Sequence, residues 1–255
     1  MWSGRRVRTT RMSPASSSYK GTRTAYSAPG GSTTGGRAFR RDHVSIRRAY
    51  RDRLGSMATH VHSQPRYTKR LMLRPFRRRD VAAMHEAVST SLDDLQPWLP
   101  WVEGYDRSSA QRFIRESVGA WAEGRAFDFT IRTIDDPNRH IGNVSVWPTS
   151  QQNRIGEVGY WIRSDETGRG FGAEATTRAM QIGFEEMDFH KVQLRIAVGN
   201  VASDRIAEKL GFVQEGTLRH EVKVGTQWLD HTIWSMLEQE WWSHRDRHRA
   251  EGTIS

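Results

Sequence analysis

The chain has 255 residues and no cysteine, which excludes disulfides, thiolate metal ligands and a cysteine nucleophile. Its net charge of +10 comes from residues 1–56, which hold 13 lysines and arginines against 2 acidic residues, because the remaining residues hold 26 basic and 27 acidic side chains. No apolar run approaches about 18 residues, so we expect no membrane span.

The N-terminal segment, residues 1–56, is rich in Arg, Ser, Thr and Gly. Such a segment buries too little apolar surface to offset its ordering entropy, so we predict a disordered basic arm. Met57 opens a segment of different composition, which leaves two explanations: a start codon placed too far upstream, or an arm that contacts RNA or the ribosome. An organelle transit peptide is a third alternative. The arm lacks the apolar centre of a secretory signal, and we expect a cytoplasmic protein.

The folded part opens with a strand, two helices and two further strands. Asp80 is a candidate helix N-cap, Gly124 ends the second helix, and the sequence DDPN at 135–138 is a turn signal. The predicted elements are a strand over 70–74, a helix from 80 to about 90, a Pro-broken aromatic loop over 95–101, a helix beginning at Ser108 or Ser109, and strands over 126–134 and 140–147.

The second half continues with strands and shorter helices. We predict a strand over 155–162, a helix over 172–187, a strand over 192–198, a helix over 203–210, antiparallel strands over 212–224 and 228–237, and a polar tail over 243–255 that frays after Trp242. This order predicts an α+β fold with a mixed, mainly antiparallel, central sheet of about seven strands flanked by helices.

The run TGRGFG, from Thr167 to Gly172, lies between a predicted strand and a predicted helix. Its alternating glycines allow a tight backbone in which successive N–H groups point at one centre, and the helix N-terminus adds positive potential. The run therefore predicts a pyrophosphate site. A plain turn between strand and helix is the alternative interpretation.

Five stretches form a pattern along the chain: LRPFRRRD (73–80), LQPWLPW (95–101), GEVGYWI (156–162) with TGRGFGAEA (167–175), VGNVASDRIAEKLGF (198–212) and LRHEVKVGTQWLDH (218–231). Over residues 66–242 they resemble the GNAT superfamily of acetyl-CoA-dependent N-acetyltransferases, in its RimJ/RimL branch. The resemblance implies a GNAT-like fold, acetyl-CoA as the acetyl donor, and direct transfer in a ternary complex. One departure is Thr167, where the family motif begins with Gln or Arg; we expect the backbone cradle to bind nonetheless.

The resemblance also implies the residues of the cofactor site. Asn200 is expected to contact the pantetheine arm, and strands that splay after Ile162 and at Val198 are expected to free a backbone N–H near Trp161 or Ile162 for the thioester carbonyl. The cofactor-binding candidates are Tyr160, Trp161, Ile162, Thr167, Gly168, Arg169, Gly170, Phe171, Gly172, Ala173, Asn200 and Ser203.

Three residues are catalytic candidates. Ser203 is expected to lie near the sulfur and to assist protonation of the leaving thiolate. Glu221 is the first choice of general base and Glu157 the second, whereas Asp230 is more in keeping with a structural hydrogen-bond acceptor. Each carboxylate has a structural alternative, and Ser203 has one as the helix N-cap, with Asn200 as a turn residue.

Trp98 and Trp101 are candidate substrate-binding residues at the acceptor mouth, with core packing as the alternative. The first acceptor hypothesis is a protein N-terminal α-amine, such as that of a ribosomal protein; the second is a small amine, such as an aminoglycoside, polyamine or amino acid. An open groove beside the tryptophans would favour a peptide, and a closed acidic pocket a polycation. A nucleic-acid-associated module acting through the arm is the non-enzyme alternative. We expect no metal and a monomer or homodimer.

Overall fold

The computed structural model describes residue 61 and residues 63–250, so the predicted arm lies outside the described residues. Eight strands form one sheet in the order β1-β2-β3-β4-β5-β6-β8-β7. The strands are β1 (Arg66–Tyr67), β2 (Leu71–Pro75), β3 (Phe127–Thr133), β4 (Gly142–Ser150), β5 (Ile155–Ile162), β6 (Lys191–Ala197), β7 (Val213–Val224) and β8 (Gln227–Leu237). The α+β prediction is confirmed, and the extra strand over the expected seven is the two-residue β1 at the sheet edge.

Six α-helices flank the sheet in the described part of the chain: α1 (Val81–Ser89), α2 (Leu92–Leu95), α3 (Arg107–Ala122), α4 (Phe171–Gln181), α5 (Val201–Leu210) and α6 (Glu238–Ala250). Helix α3 begins earlier than predicted because Asp106, and not Ser108 or Ser109, is its N-cap and accepts from the Ser109 N–H at 2.8 Å. Among the described residues, no helix is both long and apolar enough to cross a bilayer.

The sheet is antiparallel except between β5 and β6. These two strands pair in parallel through only three residues each, Ile155–Glu157 with Lys191–Gln193, and then separate. The expected splay therefore begins earlier than Ile162 and Val198. Beyond Glu157, β5 pairs only with β4, so alternate N–H groups of residues 158–162 face a gap instead of a neighbouring strand.

Helix α4 lies over one face of the sheet, and all of its residues are buried. Apolar side chains of the sheet and of α4 form the larger core cluster, while α1 and α3 cover a second cluster that contains Trp161. The buried Glu174 of α4 is held by Arg70, whose Nε donates to it at 2.7 Å. These contacts hold the start of α4 against the ends of the central strands.

The polar tail over 243–255 was predicted to fray after Trp242, and this prediction is wrong for residues 243–250, which are helical and include the buried His248; residues 251–255 lie outside the described residues. Residues Glu238–Ala250 form α6, in which Trp241 is fully buried and stacks on Phe184 with ring centroids 5.6 Å apart. The Trp241 indole also donates to Glu185 at 3.2 Å. Composition was a poor guide here because Trp241 and the His248 ring, which stack with centroids 5.6 Å apart, are buried in an otherwise polar helix.

Two adjacent tryptophans of α6 differ in burial and give a matched test of this packing. Trp241→Ala is expected to lower the free energy of unfolding by about 3–5 kcal/mol, since it leaves a large cavity in the core. Trp242→Ala, at a side chain that is 40% exposed, is expected to cost about 1 kcal/mol or less. Urea denaturation of both variants measures the difference, and equal small losses would show that α6 is not packed.

Candidate active site

A cavity of about 380 Å³ opens where β5 and β6 separate, between the N-terminal ends of α4 and α5. It brings together residues that are far apart in the sequence. Of the candidate residues, Trp98, Tyr160, Trp161, Ile162, Thr167, Gly168, Gly170, Phe171, Gly172, Ala173, Asn200 and Ser203 line it. Trp101, Glu157, Arg169 and Glu221 do not.

The glycine run has the geometry of an anion cradle. Gly168 and Gly170 have φ of +73° and +80°, which favours glycine, and Gly170 occupies the N-cap of α4 without a capping side chain. A Cβ on Gly172 would come within 2.9 Å of the Ile206 side chain. In the described part of the chain, the N–H groups of residues 168–173 form no backbone hydrogen bond of regular geometry beyond the turn at 167–168. These free donors and the α4 dipole suit a pyrophosphate.

The positively charged side chains that line the cavity belong to α5 and do not include the candidate Arg169. Arg169 pairs with Glu166, which also pairs with Arg139, and lies over the Phe171 ring at 4.8 Å; its side chain does not line the cavity. Arg205 and Lys209 of α5 line the cavity instead. Neither residue was among the candidates chosen from the sequence, although their i, i+4 spacing places both on one face of the helix.

The N-cap of α5 differs from the one predicted from the sequence. Asn200, and not Ser203, is the N-cap, and its Oδ1 accepts from the Ser203 N–H at 3.2 Å. The Ser203 hydroxyl is therefore not used as a cap and is available to the cavity that it lines.

Tyr160 shares the cavity wall with Ser203. Burial raises the pKa of Tyr160 to about 12, and the neighbouring Ser203 hydroxyl lowers it by a smaller amount. The Tyr160 hydroxyl is buried and no described side chain meets it in regular hydrogen-bond geometry, so its approach to Ser203 is loose. Tyr160 thus remains protonated at neutral pH and is an available proton donor.

The two candidate tryptophans are separated by the structure. Trp98 lines the cavity and lies 3.9 Å from the position a Gly199 Cβ would take. Trp101 is 40% exposed and packs on Trp161 and Tyr105, with ring centroids at 6.2 Å and 6.0 Å. Trp161 belongs to the second core cluster, so strand packing accounts for much of its side chain.

The two candidate bases share one guanidinium. The Arg195 Nε lies 3.1 Å from Glu157 Oε2, and its Nη1 lies 2.6 Å from Glu221 Oε1. Burial raises the pKa of Glu157 to about 7; the Arg195 charge opposes this rise and the Glu221 charge adds to it. Glu157 is therefore poised to exchange a proton near neutral pH.

Other polar residues near the closing strands have structural roles. Asp230 accepts from the His220 N–H at 2.7 Å, in agreement with its prediction as a structural acceptor.

Within residues 63–250, no group of His, Asp and Glu side chains is arranged to hold a metal ion.

The comparisons with known proteins agree with this fold. The model of the acetyltransferase (GNAT) domain matches residues 70–213. The chain is 27% identical over 175 residues to the uncharacterized N-acetyltransferase YnaD of Bacillus subtilis, covering 68% of this chain and 97% of YnaD.

Solved structures share the fold at low identity. Mycobacterium smegmatis RimJ, in complex with CoA-disulfide, has a TM-score of 0.63 and 24% identity, covering 69% of this chain and 87% of RimJ. RimL, a ribosomal L7/L12 α-N-protein acetyltransferase in complex with coenzyme A, has a TM-score of 0.63 and 19% identity, covering 69% of this chain and 99% of RimL. Because the family model spans more than half of the sequence, the chain belongs to the GNAT acetyltransferase family and is an N-acetyltransferase.

Proposed function

We propose that this N-acetyltransferase takes its acetyl group from acetyl-CoA bound at the glycine run and transfers it to the α-amine of a protein N-terminus. The observation that carries the donor site is the glycine run at residues 168–173, whose N–H groups form no regular backbone hydrogen bond beyond the turn at 167–168 and which leads into α4 at the edge of the cavity. Acetyl-CoA supplies an activated acyl group as a thioester. RimJ and RimL, the relatives of similar fold, are solved with CoA-disulfide and coenzyme A.

Several parts of the cavity suit the binding of this donor. The backbone of residues 168–173 would hold the pyrophosphate, with Arg205 and Lys209 adding positive charge for further phosphate. The gap beside β5 would admit the pantetheine arm, since residues 158–162 have no strand partner on that side. A β5 N–H facing the gap is then a donor for the thioester carbonyl oxygen.

Glu157 is our candidate for the general base. A protein α-amine has a pKa of about 7.7–8.0, so a carboxylate whose pKa lies near 7 can accept its proton at neutral pH. Glu221 also pairs with Arg195, at 2.6 Å, but its side chain is more exposed than that of Glu157, 24% against 14%, so we assign Glu221 a supporting role. The structure therefore favours Glu157 over Glu221, the reverse of the order expected from sequence.

A protein N-terminus suits the charge around the base. Glu157 and Glu221 flank Arg195 and leave at most one surplus negative charge there. In the cavity, Asp94 and Glu166 are balanced by Arg205 and Lys209, so neither place is the acidic pocket that a polycation would need. The RimL relative is named as an α-N-protein acetyltransferase. A panel of peptides with free α-amines, polyamines and aminoglycosides tests the assignment: peptides should react fastest, and a preference for polyamines would contradict it.

Ser203 and Tyr160 are the candidate donors to the leaving thiolate. Ser203→Ala is expected to lower kcat about 10- to 100-fold with little change in the KM for acetyl-CoA, and Ser203→Thr, which keeps the hydroxyl, should recover part of the rate. Steady-state kinetics at saturating peptide measure both. A normal kcat for Ser203→Ala would leave Ser203 as a packing residue and shift the role to Tyr160.

The basic arm remains a separate proposal that rests on its charge alone. If residues 1–56 contact RNA, RNA affinity should fall steeply with salt. A chain that begins at Met57 should lose this affinity and keep its acetyltransferase rate on a short peptide. Loss of cooperative unfolding on truncation would show instead that the arm is part of the fold.

A further inference from the structure

A second cavity, of about 470 Å³, lies beside β2, β3 and the segment that leads into α1. None of its lining residues lines the first cavity. Its charged wall consists of Arg74, Arg77, Arg79, Asp80 and Arg132. The charged side chains that line this concave surface are thus four guanidiniums and a single carboxylate.

The buried part of this wall is already arranged around Asp80. Arg74 donates to both carboxylate oxygens, at 2.7 Å and 2.8 Å, and Arg132 donates at 3.0 Å. The three side chains are only 3–8% exposed. One carboxylate balances one of the two buried guanidiniums, so a net positive charge stays in the wall. The Arg132 Nε also has no hydrogen-bond partner among the described residues.

Two further arginines stand at the rim of the cavity. Arg77 and Arg79 are exposed, and neither has an acidic partner within ion-pair distance in the described part of the chain. Burial lowers the pKa of Arg132, the charges of Arg74 and Arg79 lower it further, and Asp80 opposes them. Asp136 also opposes this lowering, and the Arg132 Nη1 donates to the Pro137 and Asn138 carbonyl oxygens, so the repulsion among the four lining cations is only partly relieved.

We propose that this cavity binds a small anion that carries one or two phosphate groups. The surplus of three positive charges matches a multiply charged oxyanion, and guanidinium forks bind phosphate oxygens in pairs. The volume lies in the range of small-molecule sites and would hold such an anion between the buried and the rim arginines. The site is separate from acetyl transfer and goes beyond the proposed function.

The test is calorimetric titration of the full chain with inorganic pyrophosphate and with inorganic phosphate, in the presence of saturating CoA to occupy the glycine run. Arg77→Gln and Arg79→Gln are each expected to weaken pyrophosphate binding about tenfold, and the double variant more. Arg78→Gln is the matched control, because Arg78 is exposed in the same segment, has the same charge and does not line the cavity. It should bind as the unchanged chain does.

Three results would overturn the proposal: no pyrophosphate binding by the CoA-saturated chain, unchanged affinity in the double variant, or an equal loss in Arg78→Gln. Thermal unfolding of each variant verifies that these surface changes leave the fold intact. If CoA does not bind to the chain, the effect of the Arg77 and Arg79 substitutions on pyrophosphate affinity still tests the anion site. Failure of this proposal is therefore distinguishable from failure of the acetyl-CoA site.

Discussion

Gly170→Asp is expected to weaken acetyl-CoA binding about 100-fold or more while the protein remains folded. A carboxylate at the N-cap of α4 would accept the N–H groups that the pyrophosphate needs and would add a negative charge where phosphate must approach. The nearest atom to a Cβ at this position is the Arg70 Nη2 at 3.5 Å, so the new side chain has room. Calorimetric titration with acetyl-CoA measures the loss.

Two control variants separate charge from backbone strain at Gly170. Gly170→Ala introduces a Cβ at φ +80° without a charge and should weaken binding only several-fold. Gly225→Asp adds the same charge at φ +57°, in the open turn between β7 and β8, and should leave acetyl-CoA affinity unchanged. Normal affinity in Gly170→Asp would mean that the phosphates do not bind at this loop.

The second large effect concerns Glu157. Glu157→Gln is expected to lower kcat/KM about 10²- to 10⁴-fold, the usual range for loss of a general base. In the unchanged enzyme the carboxylate is the active form, so the rate should rise as pH increases through about 7. This rise in rate near pH 7, the acidic limb of the pH profile, should be absent from the variant. A rise caused by deprotonation of the acceptor amine should remain. The pH profile of kcat/KM is the measurement.

Substitutions of the two charged neighbours of Glu157 should shift the rise of kcat/KM with pH in opposite directions. Glu221→Gln removes a charge that raises the pKa of Glu157, so the limb should shift to lower pH with its plateau kept. Arg195→Gln removes a charge that lowers this pKa, so the limb should shift to higher pH. A large loss in Glu221→Gln, together with a normal rate in Glu157→Gln, would restore Glu221 as the base.

The backbone geometry of the glycine run was predictable because its information is local. Alternating glycines between a strand and a helix define a backbone with unpartnered N–H groups, and Gly168 and Gly170 do adopt the left-handed conformation. The strands with clear two-residue periodicity were also placed correctly within a few residues. Local pattern determines both features, and neither requires knowledge of distant contacts.

The remaining site residues depend on contacts between distant elements. Arg169 was a cofactor-binding candidate, with an outward orientation as the alternative, and the structure pairs it with Glu166 beside the Phe171 ring, where it does not line the cavity. The sequence ranked Glu221 above Glu157, whereas in the structure both carboxylates pair with Arg195 and it is burial that raises the pKa of Glu157. Such differences arise from packing of β5, β6 and β7, which a single sequence does not reveal.

The C-terminal helix shows the same limit for the fold. Helix α6 is largely polar, and its composition predicted fraying. Its position is determined by Trp241, which is buried against Phe184. One buried anchor outweighs the polar remainder because a fully buried tryptophan stabilises the fold by several kcal/mol.

Acetyl transfer with isotopically labelled acetyl-CoA and a peptide with a free α-amine tests the central claim most directly. Mass spectrometry should find the labelled acetyl group on the α-amine after incubation with the unchanged chain, and about 100-fold less product with Gly170→Asp at subsaturating acetyl-CoA. Absence of labelled product across peptides and small amines, or equal product from Gly170→Asp, would contradict acetyl transfer from acetyl-CoA bound at the glycine run.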